Sequence, residues 1–327
     1  MANTIFVTAP SLHPDGVAVL ENAGCHLIYL RDGSDEIEVD RVMKGNPINA
    51  VISRTVALSA KAITDCPTLK VISKHGVGVS NIDVSAATAR NIPVFVTPGA
   101  NAQSVAEMAL GLMLAGSRKI AWMDAELRSG RWTRAQDGVE LHGKTLGLVG
   151  FGQIGQKLAL ACMAIGMKVQ AFDPGIGKNS PVAGVTMVNS LKELLPSSNV
   201  LSLHVPLTTN TREMINAEAL SMLPDHAIVI NTARGEVINE PALVAALQDG
   251  KLFAAGLDTT AEEPISKSNE LLTLPNVVLT PHVGGSTPAA LAAMAKGAAE
   301  NVLGFLSGNA PPASACVNPI TLGRMKD

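Results

Sequence analysis

Short apolar runs alternate with segments of helical character along almost the whole chain. Residues 4–7, 26–30, 49–52, 69–73 and 94–96 read as strands, with helices expected between them at 15–23, 35–44, 59–64 and 83–89. The rhythm resumes further on, with strands at 145–149, 168–172, 199–203, 227–231, 253–257 and 277–280. Helices are expected there at 153–165, 191–195, 217–222 and 241–248. Such alternation predicts parallel sheets with helices on both faces. Residues 104–120 are apolar nearly all round, so one deeply buried helix is expected there, packed against a second subunit. The Ala-rich stretch 288–306 reads as a last helix that returns to the first half of the chain. The fold class is therefore α/β, with two doubly wound parallel-sheet domains. The expected boundaries are 1–100 plus 288–327 for one domain and 101–287 for the other.

Composition agrees and narrows the choices. The chain has 327 residues, 47% of them hydrophobic and only 16% charged, which suits strands buried on both faces. A net charge of −3 offers no broad basic footprint, so nucleic acid is not expected as a partner. Cys25, Cys66, Cys162 and Cys316 are scattered without C-x-x-C or His-rich spacing. Reduced thiols, a cytoplasmic location and no metal site are the expectation. The first residues lack a signal peptide's basic start and apolar core, and no apolar run reaches membrane-spanning length, so no membrane role is expected.

One stretch, KTLGLVGFGQIGQKLALACMAIGMKVQAFDP (144–174), carries a chemical signature. A buried strand is followed by Gly150, Gly152 and Gly155 in G-x-G-x-x-G spacing, then a helix, then a second strand ending in Asp173. Gly150 allows a tight turn, Gly152 lets a pyrophosphate approach the backbone, and Gly155 lets helix and strand pack closely. The helix N-terminus favours the pyrophosphate. Asp173 would accept hydrogen bonds from the ribose hydroxyls and repel a 2′-phosphate, which points to NAD rather than NADP.

Ligands of open α/β sheets bind outside the carboxyl ends of the strands. Arg234 in INTARGEVIN, Glu263 in GLDTTAEEP and His282 in LTPHVGG all follow strands there. Singly, each has an ordinary structural explanation. Together they supply what hydride chemistry on a hydroxy acid requires.

These segments, with NVLSLHVPLTTNTREMIN, KHGVGVSNID (74–83) and TPGANAQSVAE (97–107), resemble the hallmark blocks of the D-isomer-specific 2-hydroxyacid dehydrogenases, in the same order. The resemblance implies a flavodoxin-like substrate domain built from both chain ends and a Rossmann NAD-binding domain between. It also implies a homodimer paired through the Rossmann domain. It makes Arg234 the holder of the substrate carboxylate, His282 the general acid–base and Glu263 its partner. Backbone groups of Gly76, Val77 and Gly78 are implied for the carboxylate, and Asp258 for the nicotinamide carboxamide. Gln153 and Ile154 are implied at the pyrophosphate, and Thr232 and Ala233 along the nicotinamide. His204 is placed near the cofactor or packed at a strand end.

Within the family, Ser53-Arg54-Thr55 is similar to the segment that meets substrate phosphate in phosphoglycerate dehydrogenases. This makes 3-phosphoglycerate the leading substrate and Arg54 a substrate ligand. Three positions depart from the family's usual residues: Ser80 for Asp, His75 for a smaller residue, and Thr259-Thr260 for Val-Phe. The alternatives are a hydroxypyruvate or glyoxylate reductase, a dehydrogenase of another small anionic hydroxy acid such as sulfolactate, and an NAD(H)-sensing corepressor-like binding protein.

Overall fold

A computed structural model describes residues 2–134 and 137–323. The chain divides into two compact units. One runs to Asn101 and resumes at Ser286, and the other is Ala102–Gly285.

In the first unit, β1 (Thr4–Val7), α1 (Pro14–Asn22), β2 (His26–Tyr29), α2 (Glu36–Gly45) and β3 (Ala50–Ser53) follow in order. Then come α3 (Ala60–Thr64), β4 (Val71–Lys74), α4 (Val84–Ala89) and β5 (Val94–Phe95). All five strands are parallel and lie in the order β2-β1-β3-β4-β5, the flavodoxin-like arrangement. Successive strand residues feed opposite faces: Phe6, Val51 and Ile72 enter one apolar core, while Ile5, Val7, Ala50, Ile52 and Val71 enter the other. That is why the strands read as apolar runs in the sequence. Helix starts are set by side-chain caps. Asp35 accepts the Glu38 N–H at 2.9 Å to open α2, and Ser59 and Asp83 do the same for α3 and α4.

The second unit begins with α5 (Ala102–Ser117), and here the expectation of one helix over 104–120 fails. The backbone turns through the left-handed region at Lys119 (φ 53°) and restarts as α6 (Ile120–Arg128). The break divides a buried helix from one with no buried residue. α5 packs on the sheet and on the glycine-loop helix, with Leu112 against Gly256, where a Cβ would come within 2.8 Å. There follow β6 (Thr145–Val149), α7 (Gln153–Ala164), β7 (Lys168–Phe172), β8 (Val185–Met187), α8 (Leu191–Leu194), β9 (Val200–Leu203) and α9 (Ala217–Met222). β10 (Ala227–Asn231), α10 (Glu240–Gln248), β11 (Leu252–Leu257) and β12 (Val277–Leu279) complete the unit. Its seven strands are parallel in the order β12-β11-β10-β9-β6-β7-β8. This is the Rossmann order, reversing between β6 and β9. β8 was not anticipated; it is a three-residue edge strand.

The chain then returns to the first unit as α11 (Pro288–Leu306), capped by Thr287 and lying across α1. Gly16 sits against Ala295 so closely that a Cβ would meet its carbonyl oxygen at 2.7 Å. Among the described residues, no helix is long and apolar enough to cross a membrane.

Candidate active site

In the second unit, the turn after β6 shows three different reasons for glycine. Gly150 has φ +90°, and a Cβ there would lie 2.6 Å from the His204 carbonyl oxygen just past the neighbouring β9. At Gly155 a Cβ would lie 2.6 Å from the Gly150 carbonyl oxygen, so helix and strand approach fully. Gly152 is different, because a Cβ there would meet nothing within 4 Å. The protein does not fill that space. Gly152 is also the N-cap of α7 and caps nothing with a side chain, so the first-turn N–H groups at Gln153, Ile154 and Gly155 point out as donors. Asp173, at the end of β7, braces the turn: its Oδ2 accepts the Phe151 N–H at 2.8 Å and its Oδ1 the Gly175 N–H at 2.8 Å.

The same rim carries the three ionisable candidates. Glu263 Oε2 lies 2.7 Å from His282 Nδ1, an ion pair when the imidazole is protonated. Burial raises the Glu263 carboxyl, but the hydrogen bond and charge of His282, the Thr260 N–H and the nearby Arg234 charge outweigh it. Its pKa therefore lies below the ordinary carboxylate value. Arg234 follows β10 in a turn clamped by Asn231, whose amide donates to the Arg234 carbonyl at 2.8 Å and accepts the Ala233 N–H at 3.0 Å. Gly235 must follow, since a Cβ there would run into the Thr260 backbone at 2.0 Å. Arg234 Nη1 donates to the Ala233 carbonyl at 2.6 Å.

Asp258, 2% exposed, closes on the loop that carries His282. Its Oδ1 accepts the Thr280 hydroxyl at 2.6 Å and the Val283 N–H at 2.9 Å, and its Oδ2 accepts the Gly284 N–H at 2.8 Å. Most of its acceptor capacity is thus committed within the protein. Sequence reasoning missed this bracing role, and missed Asn231 and Thr280. Asn231 left one trace, a polar residue closing the buried run AIVIN.

The first unit gathers its own candidates. Arg54 is half-buried after β3; its N–H donates to Thr8 Oγ1 at 2.8 Å, and its carbonyl accepts from Lys74 Nζ and from Asn81 Nδ2 at 3.1 Å. Burial lowers the Arg54 pKa without removing its charge. Gly76 (φ +126°) gives its N–H to Thr97 Oγ1 at 3.1 Å, while Val77 is exposed and Gly78 half-exposed beyond it.

Among the described residues, four buried side-chain polar atoms have no hydrogen-bond partner: His75 Nε2, His204 Nδ1, Thr232 Oγ1 and Thr259 Oγ1. Every one follows the carboxyl end of a parallel strand, β4, β9, β10 or β11. Native interiors rarely leave such groups unmet, at about 1–3 kcal/mol each. Three of them lie in the second unit, on the half of the rim that runs from the strand order's reversal through β9, β10 and β11. With the open space at Gly152 and the uncapped α7, they fit a dinucleotide laid across the rim. Among the described residues, no cluster of His, Cys, Asp and Glu could hold a metal ion.

Residues 110–284 match the family model described as D-isomer specific 2-hydroxyacid dehydrogenase, NAD binding domain. The chain belongs to this family. It is 42% identical over 306 residues to the D-3-phosphoglycerate dehydrogenase of Methanocaldococcus jannaschii, covering 93% of this chain and 57% of that protein. It is 45% identical over 260 residues to the hydroxypyruvate reductase of Thermotoga maritima, covering 78% and 84%. The crystal structure of the NAD-dependent formate dehydrogenase from Staphylococcus aureus in complex with NAD superposes with a TM-score of 0.84 at 27% identity, covering 96% and 98%. This 2-hydroxyacid dehydrogenase family member therefore spans little more than half the length of its archaeal phosphoglycerate dehydrogenase relative, and its second unit is the family's NAD-binding domain.

Proposed function

We propose that this chain interconverts a D-2-hydroxy acid and its 2-oxo acid with NAD, with 3-phosphoglycerate as its leading substrate. The single observation that carries this reading is the 2.7 Å Glu263–His282 pair on the same rim as the glycine turn and Arg234. Bound NADH supplies a hydride. His282 donates a proton to the oxygen of the carbonyl being reduced, and removes it from the hydroxyl in the other direction. Glu263, whose carboxyl pKa is lowered, is charged and fixes Nδ1 by accepting from it, leaving Nε2 to face the substrate. Arg234 holds the substrate carboxylate and polarises the carbonyl with its planar fork. Gly150, Gly152, Gln153, Ile154 and Gly155 bind the pyrophosphate, Asp173 the ribose, and Thr232, Ala233 and Asp258 the nicotinamide end.

In the first unit, the N–H groups of Val77 and Gly78 are offered to the substrate carboxylate, since that of Gly76 is held by Thr97. Arg54 takes the phosphate. Each domain then has its role: residues 1–100 and 288–327 for substrate, 101–287 for NAD. Homodimer formation through the NAD-binding unit is supported by exposed Leu114, Ile120, Leu127, Trp132 and Leu160 on or near α5, α6 and α7. Cys25, Cys66, Cys162 and Cys316 are all free thiols, which suits the cytoplasm.

A second reading, hydroxypyruvate or glyoxylate reductase, is favoured by the long match to the Thermotoga maritima hydroxypyruvate reductase. Arg54→Ala separates the two. Its kcat/KM for 3-phosphohydroxypyruvate should fall about 100-fold, far more than for glyoxylate. Equal losses on both substrates would remove the phosphate role and leave the reductase reading.

A further inference from the structure

The acid of the proposed dyad stands on a loop without regular structure. Glu263 lies between β11, which ends at Leu257, and the short 3₁₀ turn Glu270–Thr273. The loop is shaped partly from within. Glu263 Oε1 accepts the Thr260 N–H at 3.3 Å, and the Thr260 hydroxyl donates to the Glu262 carbonyl at 2.8 Å. Segments of this kind open locally at low free-energy cost unless something outside holds them.

A carboxylate from α10 clasps this one. Glu240, the first residue of α10, accepts the Ala261 N–H on Oε2 at 3.0 Å and the Asn269 side-chain amide on Oε1 at 2.7 Å. The two donors stand on either side of Glu263 in the chain. Both Glu240 oxygens are therefore spent on the one loop, and bonds to an ionised acceptor are the strong ones. The clasp is anchored at both ends. Asn239 caps α10 by accepting the Ala242 N–H at 3.0 Å, and its own N–H donates to the Ile215 carbonyl at 3.0 Å. Asn269 Oδ1 accepts the Leu271 N–H at 2.9 Å, which leaves the amide nitrogen turned to Glu240.

We infer that Glu240 is a positioning residue for the reaction: by clasping the loop on both sides of Glu263, it keeps that carboxylate on His282 Nδ1. The inference rests on the dehydrogenase reading above and adds to it the group that sets the dyad's geometry. The Glu263–His282 contact is 2.7 Å long, and a displacement of about 1 Å in a catalytic constellation can cost about 100-fold in rate.

The test is NADH-dependent reduction of 3-phosphohydroxypyruvate and of hydroxypyruvate, with NADH binding and thermal denaturation measured on every variant. Glu240→Ala should lower kcat about tenfold while the Kd for NADH is unchanged. In a Glu263→Gln background the same substitution should cost less than about twofold, because the group it positions is already gone. Asn269→Asp keeps the oxygen that accepts from Leu271 but sets a carboxylate against Glu240, and should reproduce the loss. Adding Glu240→Gln to Asn269→Asp swaps donor and acceptor across the clasp and still leaves an oxygen for the Ala261 N–H. That double variant should return kcat to within about threefold of the wild type. Wild-type kcat in Glu240→Ala, an equal loss in the Glu263→Gln background, or no recovery on swapping would overturn the role of Glu240 alone. A Glu263→Gln variant with wild-type kcat would overturn the dyad reading and this inference with it.

Discussion

Asp258 holds His282 from both directions along the chain: its backbone carbonyl accepts the His282 N–H at 2.8 Å while its carboxylate takes the Thr280 hydroxyl and the N–H groups of Val283 and Gly284. This grip keeps His282 at φ 53°, a conformation a non-glycine residue adopts only when its surroundings impose it. Asp258→Ala strands three donors in a buried site. It should cost about 2–4 kcal/mol of stability and lower kcat at least tenfold, measured by thermal denaturation and NADH turnover. A variant as stable as the wild type would show that the grip is incidental.

The Glu263–His282 pair makes a separate prediction. Glu263→Gln keeps the shape but withdraws the carboxylate that accepts from His282 Nδ1 at 2.7 Å. Reduction of the 2-oxo acid should fall about 100-fold in kcat while NADH binding is unchanged. A variant with wild-type kcat would rule out this use of the carboxylate.

Asp173 braces Phe151 and is the proposed ligand of the ribose. Asp173→Ala should weaken NADH binding about tenfold or more and narrow the preference for NADH over NADPH. Titration by fluorescence with both cofactors checks this. An unchanged preference would mean that the acid serves the loop only.

Acid should destabilise the first unit through His75. Its pKa is lowered from 6.5 to about 4 by burial and Arg54. Between these values the unfolded chain binds a proton that the folded one does not, so stability is full above pH 6.5 and falls as the pH drops toward 4. The loss reaches ~3 kcal/mol. His204, pushed down to about 4 by burial, acts in the same direction in the second unit. His75→Asn should flatten the fall in melting temperature between pH 7 and 5; an equally steep fall would contradict the assignment.

The fold was legible because parallel strands buried on both faces are written as apolar runs. Ile5, Phe6 and Val7 all point into one core or the other, so no polar residue interrupts them. The glycine turn was equally legible, since Gly150 and Gly155 are demanded by backbone contacts within a local unit. What escaped was decided elsewhere. β8 is an edge strand whose pairing comes from β7, not from its own pattern, and the break at Lys119 lies inside a segment that remains apolar on both sides. In the site, Arg234, Glu263 and His282 stood out as charges at strand ends. The Asp258 grip did not, because its partners follow a different strand and only the sheet brings them together. His75 was visible as an unusual residue, but its unmet Nε2 depends on the pairing of β3 with β4.

The most direct measurement of the central claim is the decay of NADH absorbance with a panel of 2-oxo acids, run with the wild type and with His282→Ala. The wild type should reduce 3-phosphohydroxypyruvate most efficiently, and His282→Ala should lose at least about 1,000-fold in kcat while still binding NADH. A wild type that binds NADH but turns over no 2-oxo acid, or a His282→Ala variant that remains active, would contradict it.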